Sequence, residues 1–107
     1  MREKWDQINR EAEDLIEKIT STLRGVDSFG KKAIDDEAFK ALFVLLKQVR
    51  DFLQDQETVN KRFVALIFYL YGQIHAEAKF TDYPEPIFML AGQIETYTDE
   101  LFGRYFD

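Results

Sequence analysis

Cysteine is absent from the 107 residues, histidine occurs once and proline twice. Without cysteine there is no disulfide framework, no thiol nucleophile and no thiolate metal site. The single histidine, His75, would have to serve as the base of any nucleophilic constellation, and no acid is placed by the sequence to orient it. No Glu-x-x-His pair of the kind that builds di-iron bundles occurs, nor does a Gly-rich phosphate loop or a Walker-type lysine. Positive charge is the minority sign, with 14 Lys and Arg against 20 Asp and Glu for a net charge of −6, which repels nucleic-acid phosphates. Long apolar runs are missing too. The longest, residues 63–71, is far short of the roughly 20 residues needed to cross a bilayer. The first residues contain no apolar h-region for secretion, so a cytoplasmic location is expected. Glu13 with Glu17 and Glu95 with Asp99 share helix faces and suit acid–base work, but a chain with 20 acids produces such pairs readily. These absences leave a binding protein as the expectation: no enzyme, no cofactor and no metal site.

What is present is helical periodicity. At about 100° per residue, Phe63, Ile67, Leu70, Ile74 and Ala78 form one apolar stripe, and Val64, Phe68, Tyr71 and His75 form a second beside it. Together they cover about half the circumference, wider than the face of an ordinary surface helix. Such a helix either sits at the centre of the domain or offers part of itself to a partner. Ala65, Gly72 and Ala76 place small residues on its back, next to Tyr69.

The remaining chain reads as cover for this helix. Trp5, Ile8, Ala12, Leu15, Ile16, Ile19 and Leu23 step by three and four, predicting a first helix over 3–23 that ends at Arg24-Gly25. A second helix over 35–53 opens on Asp35 and Asp36, whose carboxylates suit a helix N-terminus. A short polar break at 54–57 then makes the second and third helices antiparallel neighbours, with Thr58 or Asp55 as the cap of a third helix over 58–79. Pro84 and Pro86 open a fourth over 84–106, where proline in the first turn is tolerated. The expected fold is all-α: one domain over residues 1–107, an antiparallel up-down-up-down four-helix bundle. Tyr69, Tyr83, Tyr97, Tyr105 and Phe106 are least committed to the seams, and with Phe102 they are candidates for partner binding, because aromatic side chains bury apolar area at interfaces. The second expectation is a cytoplasmic helical interaction module that pairs with itself or with another helical protein through the same apolar surface.

Residues 62–83 carry a resemblance. An aromatic-rich helix, Phe63-Val64 and Phe68-Tyr69-Leu70-Tyr71, runs into Lys79-Phe80-Thr81-Asp82-Tyr83, and the first helix contains Leu15-Ile16-Glu17-Lys18-Ile19. This resembles the enterocin A-type immunity proteins, which protect producers of pediocin-like (class IIa) bacteriocins. The resemblance covers most of the chain as a pattern and about 20 residues as a motif. It implies a cytoplasmic four-helix bundle without catalysis that acts, from the inner membrane face, on the bacteriocin's receptor, the membrane part of the mannose phosphotransferase permease, once the bacteriocin has engaged it. It also implies that Lys79, Phe80, Thr81 and Tyr83 belong to the partner-binding surface and that the fourth helix presents the specificity surface. Pro84 and Pro86 depart from the motif by stiffening the turn.

Overall fold

Apolar side chains that recur every third and fourth residue put one side of a helix in contact with its neighbours, and this pattern sets each inward face here. The computed structural model describes residues 2–25, 33–80 and 85–106, and the expectations for Thr81, Tyr83 and the turn at 81–84 lie outside them. Four α-helices occur among the described residues, and no strand: α1 (Arg2–Arg24), α2 (Asp36–Leu53), α3 (Lys61–Phe80) and α4 (Glu85–Phe102), the last continued by a 3₁₀ turn, Gly103–Phe106. The all-α bundle expected from the sequence is what forms.

Local chemistry explains the helix ends. The Asp35 carboxylate accepts the Ala38 N–H at 3.0 Å, and Asp36 and Glu37 follow in the first turn of α2, where negative charge meets the free N–H groups. α3 starts later than the sequence suggests. Neither Thr58 nor Asp55 is its cap; Asn60 Oδ1 accepts the Phe63 N–H at 3.1 Å and takes that position. The same oxygen also accepts the Asn9 Nδ2–H at 3.0 Å, so a buried α1 side chain is tied to the start of α3. The backbone tightens at Gly103, whereas the sequence carries the α-helix to residue 106. Glycine is a poor helix former and 3₁₀ turns are frequent at helix C-termini.

Ring contacts give the helix directions. Trp5, near the start of α1, packs edge-on to Phe52 at the end of α2 with centroids 5.4 Å apart, and lies 5.6 Å from Phe63 at the start of α3. α1 therefore runs antiparallel to α2 and parallel to α3. Phe63 also meets Phe102 at 6.2 Å, which makes α3 and α4 antiparallel. Direction thus alternates along the chain, up-down-up-down.

Spatial order is where the expectation needs correction. α1 packs on α2 and α3, α4 packs on α3 and α2, and the backbones of α2 and α3 do not approach each other closely. They lie across a diagonal rather than side by side. The reason is the length of the connection: because α3 begins at Lys61, it comprises residues 54–60 rather than the short break read from 54–57. A chain reaches at most about 3.3–3.6 Å per residue, so this segment can span well over the roughly 11–14 Å diagonal of helices packed about 8–10 Å apart.

The core draws on all four helices. Phe63, Ile67, Leu70, Ile74 and Ala78 of α3 are buried with the α1 stripe, with Phe39, Leu42, Leu45, Leu46, Val49 and Leu53 of α2, and with Ile87, Ala91, Ile94 and Leu101 of α4. Thr20, buried within α1, donates its hydroxyl back to Ile16 O at 2.9 Å, which satisfies it.

Candidate partner-binding groove

The second stripe of α3 is not buried like the first. Val64 and Tyr71 are half-buried, and Phe68 is 77% exposed. Across from them α4 brings Glu95, Thr98, Asp99 and Phe102, and the two helices enclose a groove of about 280 Å³ with Ile67 in its lining. Its aromatic walls come from Phe68, Tyr71 and Phe102, and Glu95 and Asp99, both exposed, supply its carboxylates. The spacing of Glu95 and Asp99 puts both on one face of α4, and the antiparallel pairing fixed by Phe63 and Phe102 turns that face toward Phe68 and Tyr71.

The electrostatics of the groove are one-sided. Burial pushes the Tyr71 phenol above the usual tyrosine range, and the Glu95 charge, a hydrogen bond with Glu95 and the Asp99 charge push it further. No ion pair involves Glu95 or Asp99 among the described residues, whereas cross-helix cations elsewhere are engaged. Arg50 pairs with Glu100 at 2.9 Å, Arg62 pairs with Glu13, and Arg24 donates to Tyr69 Oη at 3.2 Å and to Gln73 Oε1 at 3.3 Å. The His75 ring lies 4.4 Å from that of Tyr71, and its buried Nε2 has no hydrogen-bond partner among the described residues.

Tyr71 also gives a pH dependence. Its folded-state pKa lies above the unfolded value, so its contribution to stability is complete below the ordinary tyrosine range and is lost as pH rises through the raised folded value. In an alkaline titration followed by tyrosinate absorbance, Tyr71→Phe is expected to remove the latest part of the rise; removal of its earliest part would contradict this environment.

The structure disperses the residues expected at the site. Of those whose side chains are described, Phe102 lines the groove and Tyr69, Tyr97 and Tyr105 do not. Tyr69 is exposed on the α1 side of α3, held by Arg24. Tyr97 stacks on Phe43 of α2 at 5.3 Å and packs against the core, so its ring already has an intramolecular partner. Tyr105 donates its hydroxyl to Gln56 O at 3.3 Å, which fixes the 3₁₀ turn against the α2–α3 connection. The backbones of Lys79 and Phe80 close α3 and that of Phe106 closes the 3₁₀ turn, but their side chains lie outside the described set, as do Thr81 and Tyr83 entirely.

Phe68, Tyr71, Glu95 and Asp99 were legible only as a stripe and a carboxylate pair. The signal that joins them is an apolar face too wide for one seam, followed in the next helix by two acids at an interval of four. No described helix is long and apolar enough to cross a membrane, and no group of three or more His, Cys, Asp or Glu side chains among the described residues is placed to hold a metal ion. No protein-family model, no curated protein and no solved structure matches the chain.

Proposed function

We propose that this chain is a non-catalytic binding bundle that confers immunity to a pediocin-like bacteriocin. In this reading it works from the cytoplasm, engaging the bacteriocin-occupied mannose phosphotransferase permease through the α3–α4 face. The observation that carries the binding part is the groove with Phe68 on its rim. A phenyl ring 77% exposed beside an apolar recess is costly to leave in water, and such features mark interaction sites. The immunity part is supported by the motif of residues 62–83, from which Val64, Ile67, Phe68 and Tyr71 line the groove.

Phe88 and Met89 of α4, 57% and 60% exposed, favour a second reading in which two copies of the chain pair through this half of the bundle. One experiment separates the two. The chain is expressed inside a strain sensitive to pediocin-like bacteriocins, which is then challenged with a panel of those peptides. Protection against one or a few is the expected result. No protection across the panel, with soluble expression verified, rejects immunity; a mass that doubles with concentration in sedimentation then supports self-pairing.

A further inference from the structure

We infer that the α3–α4 groove receives an arginine or lysine side chain from an exposed cationic segment of a partner protein. The inference rests on the reading of this groove as the docking face and adds the chemistry of what enters it. Size comes first: about 280 Å³ is at the lower edge of the roughly 300–1,000 Å³ of small-molecule sites, room for one or two side chains of a larger partner. The lining then narrows the chemistry. A long cationic side chain lays its alkyl stem on apolar surface and keeps its charged head at a polar rim, and here Phe68, Tyr71 and Phe102 supply the surface while Glu95 and Asp99 supply the rim. Aromatic faces attract such a cation further, and a carboxylate hydrogen bond to it is of the strong, charge-assisted kind.

Charge complementarity selects this occupant over the others. Phosphate, an anionic lipid surface or an acidic peptide would meet two carboxylates that no cation neutralises among the described residues. A purely apolar side chain would bury the charged rim carboxylates with no cation to offset them among the described residues, at a cost. The net charge of −6 draws a cationic segment toward the molecule, and Glu95 and Asp99 fix where it lands.

The test uses the full chain and three fluorescein-labelled helical peptides of equal length, built from leucine and lysine, leucine and glutamate, or leucine and glutamine. Fluorescence anisotropy measures binding at low and moderate salt, and amide chemical shifts locate it. The leucine–lysine peptide is expected to bind, with shifts concentrated at residues 64–71 and 95–102. Glu95→Gln with Asp99→Asn is expected to weaken it by about tenfold or more, the scale of a charged hydrogen bond. Glu11→Gln with Glu17→Gln, the same change in charge on the exposed side of α1, is expected to leave binding within about twofold, as remote rim charges do. Equal loss in both double variants, or equal binding of the leucine–glutamate peptide, overturns the inference. So does a self-associated chain whose dimer interface excludes all three peptides. The killing assay separates the two layers. Protection by the unmodified chain that survives Glu95→Gln with Asp99→Asn overturns the cation assignment and leaves immunity standing. Failure to protect removes immunity, and the peptide titration still decides the groove.

Discussion

Phe63→Ala is expected to cost about 3–5 kcal/mol of stability, the range for truncating a buried phenylalanine. The ring is fully buried, sits 5.6 Å from Trp5 of α1 and 6.2 Å from Phe102 of α4, and Trp5 in turn meets Phe52 of α2 at 5.4 Å. One side chain therefore belongs to a cluster that touches all four helices at one end of the bundle. A cavity there cannot be closed by moving a single helix, because each neighbour is held by its own contacts elsewhere, as α2 and α4 are by the Phe43–Tyr97 stack. Against a typical total of about 5–15 kcal/mol, the loss consumes a large share. Trp5, the only tryptophan, reports it directly: urea unfolding followed by its fluorescence should show a midpoint well below that of the unmodified chain. A loss under about 1 kcal/mol would reject this cluster as a centre of the core.

Phe68→Gln is expected to do the reverse, abolishing protection in the killing assay while shifting stability by no more than about 0.5 kcal/mol, as surface substitutions do. Phe68 lies five residues from Phe63 on the same helix and is 77% exposed. Glutamine is at least as good a helix former as phenylalanine, so α3 itself should not suffer. What is removed is the aromatic wall that a partner would cover. Retained protection would exclude the groove as the docking face; a variant that unfolds would show that Phe68 supports the bundle instead.

Phe63 and Phe68 also mark how much a linear reading could reach. Both belong to apolar stripes of one helix, and the periodicity treats them alike; only the positions of α1 and α4 bury the first and leave the second at the rim. The seams of α1 and α2 and the cap at Asp35 were legible because they depend on residues three or four apart, and the alternation of direction because brief connections reverse the chain. The cap at Asn60 was not, because Asp55, Thr58 and Asn60 are all competent caps in one polar stretch, and the bond from Asn9 that favours Asn60 comes from 51 residues away. The groove had its parts in view, a second stripe on α3 and the pair Glu95 and Asp99. In sequence those carboxylates suit acid–base chemistry equally well, because nothing local shows that they face an aromatic recess on another helix. Tyr97 looked uncommitted for the same reason, its stacking partner Phe43 being on α2.

The diagonal passage of residues 54–60 has a consequence for how the chain assembles. It divides the bundle into two helical hairpins, α1–α2 and α3–α4, that meet through the parallel faces α1 on α3 and α2 on α4. The polar contacts across those faces join residues far apart in the chain: 51 for Asn9 with Asn60, 50 for Arg50 with Glu100 and 49 for Arg24 with Gln73. A bundle whose neighbours were all consecutive helices would fold by successive local closures. Here the halves join only through contacts of high sequence separation, which raises the contact order of the fold, and slower folding than that of such a bundle is expected.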